Sequence, residues 1–309
     1  MQRFPYLWCL LILGVLLTGC TESAGKAPAG NGTPTYVASV KPLALVLQEL
    51  TAGRGEVRTL LSPAASPHTY EPKPSDARAV ADALVFFHVG TGLDDWASDM
   101  QSKRRVAVMD LLPEEHHLMT NETCTDHDHA GHEHDHDHAH GIVDPHYWTD
   151  PLAVAATIPG LVEKLAEADP KGAATYVSNG EKLKARLTAL DATLREELGP
   201  IRGAKVVLFH PSFLYMLRRY ELAYVGSVEV SPGREATPRY LADLGDKLRA
   251  EGVKAVFSEP QLNSRPAEAL AREGKVKLAL LDPHGAVEGT DSYENLLLYN
   301  ARALRTALQ

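Results

Sequence analysis

KGAATYVSNGEKLKARLTALDATLREEL, residues 171–198, is the longest periodic segment of the chain. Tyr176, Leu183, Leu187, Leu190, Leu194 and Leu198 recur at spacings of three, four or seven, which places them on one face of a helix. Gly180 is the sole interruption, and Gly199-Pro200 stops the run. On either side the pattern changes to short apolar runs alternating with amphipathic segments. Upstream, strands are predicted at 36–40, 57–61, 83–89 and 106–109, with helices at 42–50 and from Asp150-Pro151 onward, where Asp supplies an N-cap and Pro the first helical position. Downstream, strands are predicted at 206–209, 223–230, 253–257 and 276–281, and helices at 211–220, 238–251, 266–273 and 293–308. Alternation of this kind implies α/β architecture with mainly parallel sheets flanked by helices. The expected fold is therefore two lobes, at 35–168 and 200–309, joined by one long rigid helix at 169–199.

Residues 1–3 carry one positive charge, on Arg3, and an almost wholly apolar run follows at 6–17, too short to span a bilayer comfortably, where about 20 residues are needed. The run ends in Leu17-Thr18-Gly19-Cys20, so 1–19 reads as a signal peptide. Leu-Thr-Gly-Cys resembles the bacterial lipobox, which implies lipidation of Cys20 and anchoring in a lipid bilayer. Residues 20–34, small and rich in Gly and Pro, read as a flexible tether. With a net charge of −9 and no Lys/Arg run, nucleic acid is not an expected partner, and a cationic ligand suits the balance. After processing only Cys20 and Cys124 remain, which excludes a disulfide scaffold.

Histidine falls into two populations. His127, His129, His132, His134, His136, His138 and His140 are interleaved with acidic residues in a tract at 124–141 that has nothing apolar to bury. Such a tract signals auxiliary, weak metal binding from a disordered loop, with Cys124 beside it as a soft donor. The other population is dispersed. His68 follows the 57–61 strand, His146 precedes the Asp150-capped helix, His210 ends the 206–209 strand, and Asp282 and His284 follow the 276–281 strand. Open α/β sheets bind ligands beyond the carboxyl ends of their strands.

Four of these segments, ASPHTYEPKPSD (65–76), DPHYWTDP (144–151), VVLFHPSFLYMLRRYEL (206–222) and LALLDPHG (278–285), resemble in order the ligand motifs of the bacterial zinc/manganese solute-binding proteins, the solute-binding protein 9 family. FSEPQLNSRPAEALARE (257–273) is similar to a further recurrent segment of that family, and the acidic His-rich loop is typical of its zinc-type members. The resemblance covers essentially all of 35–309. It implies a metal site in the cleft between two lobes, with His68, His146, His210 and Asp282 as ligands, and His88 and His284 as neighbours that depart from the usual pattern. It also implies a monomeric, extracytoplasmic receptor that delivers zinc, less readily manganese, to an ABC permease in the cytoplasmic membrane.

Three imidazoles and a carboxylate fill a tetrahedral zinc shell, and closed shells belong to binding rather than catalysis. Nitrogen-rich donor sets favour zinc over manganese. Because imidazoles bind metal only when neutral, affinity is expected to decline between about pH 7 and pH 5. Two alternatives remain at this stage. A zinc hydrolase would use Glu71 or Glu259 as its base, although no HExxH or GxSxG pattern occurs. A stand-alone periplasmic zinc buffer or adhesin would have no permease partner.

Overall fold

Strand β1 (Thr35–Ala38) feeds helix α1 (Lys41–Thr51), whose Pro42 occupies the first turn. β2 (Glu56–Thr59), α2 (Pro74–Asp82), β3 (Val85–His88) and β4 (Arg105–Ala107) complete a sheet of order β2-β1-β3-β4, parallel throughout. β3, Val-Phe-Phe-His, is buried along its whole length, as expected of a parallel strand covered on both faces. A two-residue hairpin, β5 (Met119–Thr120) with β6 (Ile142–Val143), flanks the His-rich tract. The computed structural model describes residues 33–120, 142–229, 233 and 236–309. The expected signal peptide, Cys20 and its lipid, Cys124 and His127 to His140 lie outside the described residues. Among those residues no helix is long and apolar enough to cross a membrane.

α3 (Pro151–Ala168) starts on an Asp150 cap that accepts from the Leu152 amide at 2.8 Å. α4 (Ala173–Leu198) is the long helix expected from the leucine spacing, and its buried residues are Tyr176, Gly180, Leu183, Leu187, Leu190, Asp191, Leu194 and Leu198. It packs against α1 and α3 from the first half and against the C-terminal helix. The glycine in its middle has a packing reason. A Cβ on Gly180 would meet Val162 Cγ2 at 2.9 Å and Ile158 Cγ2 at 3.2 Å, so α3 and α4 approach more closely there than any other residue permits. The start of α4 is tied to the first sheet by a polar chain. Tyr36 and Tyr176 share a 2.8 Å hydroxyl–hydroxyl bond, Tyr176 donates to Asp169 at 2.7 Å, and Arg54 grips both oxygens of Asp169.

The second half repeats the first. β7 (Lys205–Leu208), α5 (Leu214–Arg219), β8 (Ala223–Ser227), α6 (Pro238–Glu251), β9 (Ala255–Ser258), α7 (Arg265–Gly274), β10 (Lys277–Leu280) and α8 (Tyr293–Leu308) build a parallel sheet of order β10-β9-β7-β8. Read from the other edge, its second, first, third and fourth strands stand in the same sequence as those of the first sheet. In both, the order reverses between the first and third strands, the place where open α/β sheets bind ligands.

Sequence and structure differ locally. The strand expected at 106–109 stops at Ala107, where the chain turns into a 3-10 segment at Val108–Leu111. The helix expected from Pro211 begins at Leu214, because the Ser212 amide bonds back to the His210 carbonyl at 2.7 Å and tightens the turn first.

Candidate metal centre

Each dispersed histidine sits on a turn that leaves a strand or opens a helix. His68 lies on the 3-10 turn Pro67–Thr69 beyond β2, held by Trp96, whose Nε1 donates to the Pro67 carbonyl at 3.0 Å. His146 precedes the turn Tyr147–Thr149, and Asp144 fixes it twice. Oδ1 of Asp144 accepts from the His146 amide at 2.9 Å and from its Nδ1 at 2.7 Å. A proton held on Nδ1 leaves Nε2 free as a ligand, the usual arrangement for metal-binding histidine. His210 stands two residues beyond the end of β7 and is buried, and neither of its ring nitrogens has a hydrogen-bond partner. A buried unpaired nitrogen costs about 1–3 kcal/mol, so two on one ring demand an explanation.

The three rings converge. Their centroids are 5.5 Å (His68–His146), 5.0 Å (His68–His210) and 5.2 Å (His146–His210) apart. One nitrogen from each lies within 4.8 Å of the others. The Nε2 atoms of His68 and His146 are 3.4 Å apart, which is the edge of a tetrahedron whose metal–nitrogen bonds are about 2.0–2.1 Å long. Between them lies a cavity of about 10 Å³, bordered also by His284, Glu259 and Gln261. That is room for a single ion.

Burial lowers the His68 imidazole to about 3, with the charge of His146 adding to the fall. Burial again, then His146, His68 and His284, set His210 well below the ordinary imidazole range. His284 is brought to about 3 by burial, then by His146 and His68. The rings are thus held neutral and ready to donate lone pairs. Glu259 is driven the other way. Burial raises its carboxyl to about 8, opposed by the Ser212 hydroxyl that donates to Oε1 at 2.6 Å and assisted by Asp282 and Glu229. Glu71 is exposed outside the cavity.

Asp282 is buried at the mouth of the loop after β10, but its carboxylate is not grouped with the three imidazoles. Oδ1 accepts from Gln261 Nε2 (3.2 Å) and from the amides of His284 (3.1 Å) and Gly285 (2.8 Å), and Oδ2 accepts from the Val287 amide (2.7 Å). His88, also buried, bonds through Nδ1 to Asp94 at 3.3 Å and stacks on Phe86, away from the cavity. Sequence reasoning did not single out Asp144, Trp148 or Gln261. Asp144 had a signal, its position two residues before His146 in DPHYW. Gln261 had none, since its reach to the opposite half is a tertiary fact.

The seam around the cavity is closed by bonds between the halves. Trp148 Nε1 donates to the Pro283 carbonyl (2.8 Å), Tyr293 to the Trp148 carbonyl (2.6 Å), Lys41 to the Gly285 carbonyl (2.7 Å) and Gln261 to the Pro63 carbonyl (2.6 Å). Arg219 pairs with Asp150 at 2.5 Å. His68 and His146 come from one half and His210 from the other, so an ion held by all three is a further tie across the seam.

The chain is similar to known proteins over nearly its whole length. A High-affinity zinc uptake system protein ZnuA of Brucella abortus is 29% identical over 315 residues, covering 92% of this chain and 94% of its own. A Manganese-binding lipoprotein MntA of Halalkalibacterium halodurans is 26% identical over 97% of both chains. A crystal structure of ZnuA superposes with a TM-score of 0.74 at 26% identity, covering 90% of this chain and 100% of the other. The family described as "Zinc-uptake complex component A periplasmic" matches residues 37–307. With that match spanning both sheets and the histidine cluster between them, the chain belongs to this family of periplasmic metal-binding proteins, which are binding proteins and not enzymes.

Proposed function

We propose that the protein is an extracytoplasmic receptor that captures zinc in the cleft and delivers it to the permease of an ABC importer. The observation that carries the reading is the pair of partnerless nitrogens on buried His210, facing His68 and His146 whose Nε2 atoms already stand at tetrahedral spacing. His68, His146 and His210 serve as ligands, and the loop that begins at Asp282 borders the remaining coordination position. An all-nitrogen triad is borderline-soft and suits zinc, whereas manganese prefers oxygen donors in an octahedron. The names of the relatives, zinc for some and manganese for another, are consistent with a site whose outcome turns on that donor set.

In this reading Cys20 carries the lipid that holds the receptor at the membrane, 20–34 is its tether, and 124–141 gathers zinc weakly near the cleft. Each ion bound by that tract must offset the ordering of several residues, about 1–2 kcal/mol apiece, so those sites are weaker than the cleft. Tethering nonetheless keeps captured zinc at an effective concentration on the order of millimolar.

The test is zinc titration of the purified full chain against a competing chelator. One tight site is expected, weakened at least tenfold by His210→Ala, which corresponds to about 1.4 kcal/mol or more. Deletion of 124–141 is expected to remove weak sites and spare the tight one. An unchanged tight site in His210→Ala refutes the cleft assignment.

A further inference from the structure

Trp148 stands two residues after His146, on the turn that joins that histidine to α3. The turn is tied into one piece. The His146 carbonyl accepts from the Thr149 amide at 3.2 Å and from the Thr149 hydroxyl at 3.1 Å, and the Tyr147 carbonyl accepts from the Asp150 amide at 3.1 Å. From this turn Trp148 reaches the other half twice. Its Nε1 donates to the Pro283 carbonyl at 2.8 Å, and its own carbonyl accepts from the Tyr293 hydroxyl at 2.6 Å. The indole is buried, with the His146 and His284 rings against it at centroid distances of 5.3 Å and 5.6 Å. An indole has one N–H and no acceptor, so this donor has a single bond to make. Parting of the halves breaks it and leaves the carbonyl of buried Pro283 without the donor as well.

Trp96 provides the internal contrast. It too donates to the carbonyl of a proline that precedes a histidine, Pro67 before His68, at 3.0 Å, and its ring meets Tyr70 edge-on at 5.2 Å. All of these residues lie in the first half, so the bond stays made when the halves separate. The two indoles do the same chemistry, one within a half and one across the seam.

We propose that Trp148 is a positioning residue that makes the seam answer to the ion. Bonds that fix His146 fix the turn 146–149, and the turn holds the Pro283 loop of the opposite half through the indole N–H. The proposal rests on the reading of the cleft as the metal site and adds to it a specific bond through which occupancy is felt on the other side. An ion held by His146 and His210 binds best when the halves are together, so it stabilises the bonds that need them together. Coupling is reciprocal, and such a bond strengthens ion binding by the same factor.

The experiment is exchange of the indole N–H protons with solvent, followed by proton–nitrogen NMR on the full chain with and without one equivalent of zinc. The chain has three tryptophans, Trp8, Trp96 and Trp148. Trp8→Phe and Trp96→Phe assign two signals and leave the third to Trp148. Zinc is expected to slow exchange at Trp148 at least about fivefold, the lower end of usual couplings between sites, and to slow Trp96 less. Equal slowing at the two indoles, or none at Trp148, overturns the proposal, and that comparison needs no altered Trp148 to fold. Trp148→Phe keeps a ring against the two imidazoles and removes only the donor. It is expected to weaken zinc binding by the factor by which zinc slowed exchange, through faster release, and an unchanged affinity also overturns the proposal. His210→Leu separates this failure from failure of the cleft reading. If it abolishes tight zinc binding while exchange at Trp148 in the unaltered protein ignores zinc, the coupling alone falls. If it leaves tight binding intact, the cleft is not the site and both readings fall.

Discussion

Gln261 donates to the carbonyl of Pro63, 198 residues earlier in the chain, at 2.6 Å, and the same Nε2 donates to Asp282 Oδ1 at 3.2 Å. One amide nitrogen therefore joins the loop after β2 to the loop after β10, at the edge of the metal cavity. A neutral hydrogen bond of this kind contributes about 0.5–1.5 kcal/mol net. Gln261→Ala is expected to speed zinc dissociation by about two- to tenfold while leaving association nearly unchanged. Stopped-flow release into a chelator measures this, and an unaltered off-rate would show that the bond does not hold the seam.

Asp144 acts on the site through His146. Removing the acceptor that fixes the tautomer and orientation of a ligating histidine typically costs 10–100-fold in metal affinity. Asp144→Asn keeps the size of the side chain and retains one acceptor, so a loss of about tenfold is expected, with circular dichroism unchanged. Equal affinity in the two proteins would assign Asp144 to the turn alone.

The pH dependence differs from that expected of solvent-exposed imidazoles. With His68 at about 3, its ring is already neutral at about pH 5, and burial shifts His210 in the same direction. His68 yields no proton when zinc binds between about pH 5 and pH 7, so the slope of log affinity against pH falls short of about three. Calorimetry in buffers of different ionisation enthalpy counts the released protons, and a count near three contradicts the burial of these rings. Stability of the protein stripped of zinc follows the opposite partner of the same linkage. His68, His210 and His284 bind protons more weakly folded than unfolded, so the unfolded chain gains protons first as pH falls. Their contribution is fully present above about pH 6.5 and is lost progressively towards pH 3, which a series of melting temperatures will show as a steady decline.

His210→Glu replaces a borderline nitrogen by a hard oxygen and is expected to raise the manganese-to-zinc affinity ratio, although zinc remains the tighter ligand in absolute terms. The observable is the ratio before and after substitution. A ratio that does not move would remove His210 from the shell.

The leucine spacing of 171–198 and the placement of His68, His146 and His210 at strand ends were legible because helix period and strand-end position are local properties of sequence. The helix Pro74–Asp82 was not anticipated, since it buries only Val80 and leaves little apolar periodicity to read. Asp282 shows a different limit. Its position in the chain marks it as a ligand, but whether a carboxylate faces an ion or the amides of its own loop depends on the backbone path from 282 to 287. Glu259 likewise looks like an ordinary carboxylate in the sequence, and the burial that raises its pKa is supplied only by the folded cavity.

The long helix α4 has a consequence for how the ion leaves. The chain crosses between the halves once, through a 26-residue helix packed against helices of both. A rod seated in this way offers no loose joint about which the halves swing widely. Egress then depends on brief parting at the rim, where a few bonds such as those of Gln261 and Lys41 must break together. The residence time of the cargo is set by that rim, and a docking partner that pulls on it can shorten the wait without unfolding anything.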